Sequence, residues 1–336
     1  MKTVICEEPH RLGLVERPAP IIGDGEVLIR IRSIGLCGTD YHIFSGRHPF
    51  LAYPRVMGHE LAGEVEQASP GSQFCPGQII AINPYLACGV CVACRKGKPN
   101  ACTKISVLGV HADGGMCELL AVPETAVLDA TGLTLDQAAM IEFLAIGSHA
   151  VARADVTRGE RVLVVGAGPI GVATGLFARF RGGAVTLVDT RETRLAYARD
   201  RLGFDDVIPV SPDLGKILDE TTGGDMFDVV FDATGVLPAM AQSLNYVAHG
   251  GRLTLVGVAP GDLVLADPEF HKRETTMLAS RNALNRDFEQ VIAAIKAGEI
   301  PTDALHTHSL SATELPERLP QLIAEADHVL KAIAHF

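Results

Sequence analysis

Apolar residues in the first part of the chain come in short alternating runs. Glu26-Val27-Leu28-Ile29-Arg30-Ile31-Arg32 alternates polar with apolar and predicts a strand. Leu61 to Gln67 and Gln78 to Asn83 predict two more, with the turn-forming pairs Pro70-Gly71 and Pro76-Gly77 between them, and Cys117 to Val122 predicts another. Residues 1-145 therefore predict an irregular β-barrel with long loops, carrying a lobe at 86-104. The period changes at Leu133. Leu135 to Ala150 predicts a helix, and beyond Gly159 strands and helices alternate. The strands expected are Arg161 to Val165, Val185 to Asp189, Asp206 to Val210, Phe227 to Asp232, Arg252 to Val258 and Thr276 to Ala279. That order predicts an α/β domain with a doubly wound parallel sheet over 146-284. The segment 285-336 predicts two amphipathic helices, Phe288 to Ala297 and Leu315 to Glu325, and a last strand, Leu330 to Ala334.

Chemistry concentrates first between Cys37 and Glu60. Cys37-Gly38-Thr39-Asp40-Tyr41-His42 and Val56-Met57-Gly58-His59-Glu60 supply a thiol, an imidazole and a carboxylate, the ligand set that zinc takes. Asp40 is expected to take the free ring N–H of His59 and fix its tautomer. Thr39 and His42 add a hydroxyl and an imidazole, the material of a proton relay. Taken singly these are a buried Cys, a core His and a turn at Gly58; taken together they point to a metal. Glu142 lies in the apolar run Ile141-Glu142-Phe143-Leu144-Ala145, where a carboxylate must be paired, protonated or metal-bound. It reads as a reserve zinc ligand or as the holder of the zinc-bound water. The structural alternative pairs it with an Arg such as Arg55.

Four of the eight cysteines fall in the lobe. Cys88, Cys91 and Cys94 are three apart and Cys102 follows, with Gly89, Gly97 and Pro99 allowing a tight fold. Four thiolates close a tetrahedral structural zinc site, and in a loop with little core such a site supplies most of the local folding energy, ~10–16 kcal/mol in zinc-finger peptides. The N-terminus has no long apolar signal core, so metal binding is favoured over a disulfide framework. The rival is a zinc ribbon that grips nucleic acid. A net charge of −11, a pI near 5.5 and a lobe whose basic residues are Arg95, Lys96, Lys98 and Lys104 weigh against it, and against an anionic membrane as partner. With no apolar run long enough to span a membrane, the expected location is the cytoplasm.

The strand Val162-Leu163-Val164-Val165 runs into Gly166-Ala167-Gly168-Pro169-Ile170-Gly171 and then a helical stretch, the context a dinucleotide motif requires. Gly166 permits the turn, Gly168 admits the pyrophosphate to the backbone, and Gly171 allows close packing; Pro169 suits a first helical turn. Asp189 closes the next strand, placed to hold the adenosine ribose hydroxyls and so to favour NAD over NADP. Arg191 and Arg194 are the residues that would soften that preference, with a place along the adenine as the alternative for Arg194; Asp189 as a plain strand-end cap is the structural alternative.

Together these motifs resemble the zinc-dependent medium-chain alcohol dehydrogenases over essentially the whole chain. A Glu at position 142 fits their polyol and threonine dehydrogenase branch, where liver-type members carry Cys. Two stretches, Ile105 to Gly115 and Asp267 to Glu274 continuing through Ser280-Arg281-Asn282, look similar to bacterial L-galactonate or L-gulonate 5-dehydrogenases. The resemblance implies a GroES-like β-barrel domain, a Rossmann NAD domain, and a return to the first domain over 285-336. It implies NAD and two zinc ions per chain, with Cys37 and His59 as catalytic ligands and Glu60 or Glu142 as the acid. Thr39 and His42 match the relay, and Ile170, Asp189, Arg194, Val256-Gly257-Val258 and Ser280-Arg281 match cofactor positions. The implied reaction is reversible oxidation of a secondary alcohol to a ketone by a homodimer or homotetramer, joined through the last Rossmann strand. A sugar acid is the expected substrate. The loop Phe44-Ser45-Gly46-Arg47-His48-Pro49-Phe50 is mixed, and the chain has no Trp. A buried carboxylate needs a cation, for which Arg47, His48, His111 and Arg281 are candidates. A neutral polyol or threonine-type substrate is the alternative. An NAD- and zinc-binding sensor without catalysis is the alternative of another class, disfavoured because every relay residue is present.

Overall fold

The longest strand, Glu26–Leu36, organises the first of two units in the computed structural model, which describes residues 1–48 and 51–336. Pro49 and Phe50 of the mixed loop lie outside the described residues. The first unit comprises Met1–Phe143 and Leu284–Phe336, the second Leu144–Ala283.

In the first unit the sheet runs in the order His306–Ser311, Lys331–His335, Glu26–Leu36, Glu60–Ala68, Ile79–Ile82, Val127–Asp129, and Leu119–Pro123 also pairs with Glu26–Leu36. Alternation puts Ile29 and Ile31 wholly inside, Ile34 is wholly inside beyond the register shift at Ile31–Ser33, and each buried side chain of that size contributes about 1.5–3 kcal/mol. The last strand pairs antiparallel with Glu26–Leu36, Ala332 opposite Leu36, so the end of the chain is laid beside the strand that leads into Cys37. Strands of this unit bond mainly antiparallel and carry register shifts between Leu28 and Ile29 and between Ile31 and Ser33.

The second unit is a six-stranded parallel sheet in the order Asp206–Pro209, Ala184–Asp189, Arg161–Val165, Phe227–Asp232, Val247–Leu255, Thr276–Ala279. Arg161–Val165 is the strand from which the winding departs in both directions. The crevice at its carboxyl end is where such sheets bind ligands.

Two elements differ from the pattern-based expectation. The stretch Leu135 to Ala150 is not one helix but two, Leu135–Ala139 and Ile141–Ala154. The first is fixed by a capping box between Thr134 and Gln137 and closes at Met140. The strand expected to reach Val258 stops at Leu255, because the N–H groups of Val256 and Gly257 both turn onto the carbonyl of Asp232 (2.8 and 3.0 Å). No helix of the described residues is long and apolar enough to cross a membrane.

Candidate active site and zinc centres

Cys37 stands at the end of Glu26–Leu36 and caps the helix Gly38–Phe44, while His59 and Glu60 open the neighbouring strand Glu60–Ala68. Pairing of these strands brings Gly35 opposite Glu60. Ligand atoms of Cys37, His59 and Glu60 all lie within 4.8 Å of one another. His59 is 5% exposed and Glu60 not at all. Burial pushes the His59 imidazole down, but the charges of Asp40, Cys37 and Glu142 outweigh it and hold its pKa well above the ordinary value.

Asp40 sits behind His59 but does not hydrogen-bond it. Its Oδ1 is 3.8 Å from His59 Nδ1, which has no partner, and its carboxylate instead accepts the N–H groups of Cys37 (2.9 Å) and Gly58 (3.4 Å). The expected tautomer lock is therefore absent from this geometry, and the backbone at both ligand segments is what Asp40 holds. Thr39 and His42, three apart on the same helix, share a face, with Thr39 half-buried and His42 exposed. Partial burial and Arg47 lower the His42 pKa, which leaves the ring a neutral base.

Two buried carboxylates share this region, and each has a dedicated partner that the sequence does not announce. Lys331 Nζ lies 2.7 and 2.6 Å from the two oxygens of Glu60, 3.2 Å from the Leu36 carbonyl and 4.2 Å over the Phe143 ring; it is 1% exposed. The carboxylate of Glu60 lies against Gly35, where a Cβ would stand 2.2 Å from Oε2, so only glycine fits. Glu142, 5% exposed, accepts a hydrogen bond from the Tyr85 hydroxyl, not from Arg55, whose guanidinium goes to Asp113 (3.2 Å). Burial, with the charge of Glu60 adding to it against His59 and Tyr85, pushes the Glu142 carboxyl up to about 7. A thiol, an imidazole and two crowded acids with a single neighbouring lysine form a donor set that a divalent cation would relieve, so these residues fit zinc.

Arg47 is exposed and His48 half-buried. Burial lowers the His48 pKa, and the charges of His42, His111 and His59 lower it further. His111 is exposed.

The four-cysteine lobe fits a second zinc. Sγ separations are 3.5 Å for Cys91–Cys94, 3.8 Å for Cys91–Cys102 and 3.5 Å for Cys88–Cys102. Sulfurs at ~2.3 Å from a tetrahedral ion stand about 3.8 Å apart. Backbone N–H groups of Cys88 and Lys104 point at Cys102 Sγ, both at 3.3 Å, and backbone donors from Cys94 and Thr103 pull the Cys91 thiol down to about 5. Those donors favour thiolates, the form that binds metal.

In the second unit Gly166 has φ +100°, and a Cβ on Gly171 would meet the Gly166 carbonyl at 1.7 Å, so both positions demand glycine. Pro169 begins the helix Pro169–Phe180, with Ile170 half-buried behind it, and a Cβ on Gly168 would stand 3.5 Å from the Arg194 guanidinium. Asp189 accepts the N–H groups of Ala167 (2.7 Å) and Arg191 (2.8 Å), which ties the strand end to the glycine loop. Gly257 packs backbone to backbone on Gly235, which sequence reasoning did not single out; Val256 is buried and Val258 is 86% exposed. Ser280 is buried with its hydroxyl unpartnered, and Arg281 is exposed. The strand, turn and helix N-terminus form a backbone cradle that fits a dinucleotide pyrophosphate.

Residues 23–132 match the alcohol dehydrogenase GroES-like domain family and residues 169–297 the zinc-binding dehydrogenase family. The chain is 42% identical to the L-galactonate-5-dehydrogenase of Escherichia coli over 100% of its own length and 99% of that protein. It is 33% identical to the D-altritol 5-dehydrogenase of Agrobacterium fabrum over 94% of each. Among solved structures, a short chain alcohol dehydrogenase of Escherichia coli complexed with NADH superposes with a TM-score of 0.94 at 30% identity, covering 100% of this chain and 99% of that one.

Proposed function

The chain belongs to the zinc-type alcohol dehydrogenase family, oxidoreductases acting on CH–OH groups, and from that premise we propose that it oxidises a sugar acid. The substrate is a hexonate such as L-galactonate or L-gulonate, oxidised at C5 to the ketone with NAD as acceptor. The observation that carries this reading is the zinc ligand cluster of Cys37, His59 and Glu60 with Arg47 and the imidazoles of His42, His48 and His111 in the same unit. A polyhydroxy acid meets cations and ring donors there rather than an apolar channel.

Bound zinc supplies Lewis acidity toward the substrate hydroxyl, and NAD supplies the hydride acceptor. Cys37 and His59 hold the metal. Glu60, charge-balanced by Lys331, is the acid nearest to them, and Glu142, fixed by Tyr85, is the reserve acid. The Thr39 hydroxyl passes the alcohol proton outward to His42, which its exposed position and lowered pKa make a suitable acceptor. Asp40 keeps the Cys37 and Gly58 backbones in register. Asp189 and Arg194 bind the adenosine end, and Gly166, Gly168, Pro169, Ile170 and Gly171 the pyrophosphate. Val256, Gly257, Val258, Ser280 and Arg281 complete the cofactor site, with Arg281 also available to a carboxylate.

The chain acts in the cytoplasm as a homodimer or homotetramer. The edge strand Thr276–Ala279 supports the oligomer: it ends the parallel sheet and leaves Met277 43% exposed.

NADH formation measured over a panel of L-hexonates, neutral polyols and threonine tests the proposal. A hexonate is expected to give the highest kcat/KM, with Arg281→Ala raising KM for the acid far more than for the matching polyol. If sorbitol turns over faster than every hexonate, the substrate is a neutral polyol; if nothing turns over, the chain is a sensor.

A further inference from the structure

The segment Val107 to Gly115 is built with more care than a surface loop needs. Three backbone bonds lay it on the segment that leads into His59: Gly114 N–H to the Val56 carbonyl (2.7 Å), Gly115 to Gly58 (3.0 Å) and Met116 to Met57 (3.0 Å). A Cβ on Gly114 would stand 2.2 Å from the Gly58 carbonyl oxygen. One on Gly109, whose φ is +77°, would stand 2.8 Å from the same atom, so the two backbones touch without side chains between them. At its other end the loop is tied to the strand of Tyr85: Val107 pairs with Tyr85, and Leu108 N–H reaches the Pro84 carbonyl (3.1 Å). Tyr85 in turn holds Glu142. The loop is thus anchored on one side beside His59 and on the other to the partner of Glu142.

His111 stands at its apex. Its own N–H bonds the Val107 carbonyl (2.8 Å), and the Val107 N–H donates to His111 Nδ1 (3.1 Å). A nitrogen that accepts carries no proton, so the ring in this geometry is neutral with its hydrogen on Nε2. Backbone geometry therefore fixes the tautomer. Gly109, two positions before His111, packs on Gly58, so the ring stands on the loop that borders the segment leading into His59.

We infer that His111 is a specificity-determining residue that donates Nε2–H, as a neutral group, to a hydroxyl or carboxylate oxygen of an open-chain polyhydroxy substrate. The inference rests on the dehydrogenase reading above and departs from the cationic role that the sequence suggests for this residue. A neutral donor does not discriminate by charge. It reads an oxygen at a fixed place and serves a hexonate and the matching alditol alike.

His111→Asn keeps an acceptor for the Val107 N–H and removes the Nε2 donor; His111→Gln extends an amide donor towards the Nε2 position. For Asn, KM for the sugar substrate is expected to rise about tenfold, the worth of one lost hydrogen bond, with kcat and KM for NAD within about twofold. Gln is expected to recover part of the loss, and the thermal shift that the same sugar produces on the NADH-loaded protein, a readout that needs no turnover, should shrink in Asn and return in Gln. If Asn matches wild type in KM and thermal shift for every sugar, or if Asn and Gln are equally impaired with an equally lowered Tm, the inference is overturned. Should wild type prefer an alditol to every hexonate, the sugar-acid reading fails, and the same two variants measured on that alditol still decide the role of His111.

Discussion

The two zinc centres are built on opposite plans. In the lobe, all four thiols come from fifteen consecutive positions, Cys88 to Cys102, around a four-residue helix, Val92–Arg95, that buries none of its side chains. Val90 and Val92 are 71% and 51% exposed, so sulfur–metal bonds stand in for a hydrophobic core. The other centre is assembled from positions 37, 59, 60, 142 and 331 inside a packed unit, and its donors are two acids, a thiol and an imidazole with opposed charge demands. A closed set of like ligands makes structure. A mixed set that leaves one coordination position open is the kind that does chemistry.

That contrast predicts separable failures. The largest effect is expected in Cys102→Ser, which removes one of four ligands from a lobe whose metal is worth ~10 kcal/mol or more; Tm should fall sharply and the lobe become protease-sensitive. Cys37→Ser should leave Tm nearly unchanged and lower kcat by about a thousandfold or more, measured as NADH formation. Equal loss of Tm in both variants would break the distinction.

Lys331→Met comes next. It leaves Glu60 buried without its cation, and unfolding by urea should report a loss of about 3–5 kcal/mol. Adding Glu60→Gln should return much of that stability without returning activity, which separates the packing role of the pair from its chemical one.

Asp189→Ala should lower kcat/KM for NAD by about tenfold and narrow the preference over NADP, since it removes the carboxylate proposed to hold the ribose and the acceptor of the Ala167 N–H in the glycine loop and of the Arg191 N–H. Equal kcat/KM for the two cofactors in wild type would show Arg191 or Arg194 prevailing.

The smallest effect concerns the loop under His111. Burial would raise the Asp113 pKa, but the Arg17 guanidinium (2.9 Å), the Val56 N–H and Arg55 hold it below the ordinary carboxylate value. A depressed pKa stabilises the fold above the unfolded value near ~3.9 and loses that contribution as pH falls through the folded value. Asp113→Asn should therefore cost no more than about 1 kcal/mol at neutral pH, because the group is partly solvent-exposed, and nothing once the pH has fallen below the folded-state pKa.

How much of this was legible in the sequence follows the same division. The thiol lobe and the glycine loop are local, so spacing alone revealed them. Cys37, His59 and Glu60 were legible as donors because zinc has few ligand types. Their partners were not. Lys331 lies 271 positions from Glu60 in a strand whose alternation says nothing about a buried ammonium, and Tyr85 precedes the lobe with no motif of its own. Glu142 was visible as an anomaly, but its partner was sought among arginines, whereas a phenol suffices for a carboxyl that burial raises to about 7. The early end of the strand at Leu255 was hidden because Val256 and Val258 have strand-forming side chains, while the carbonyl of Asp232 that captures the Val256 and Gly257 N–H groups is a backbone atom.

Elemental analysis of the zinc-reconstituted chain, run beside Cys37→Ser and with Tm recorded on the same samples, tests the two-centre account most directly. Two zinc ions per wild-type chain are expected, and one in Cys37→Ser at nearly wild-type Tm. A single zinc in reconstituted wild type, or a Cys37→Ser variant that keeps both ions and full turnover, would contradict it.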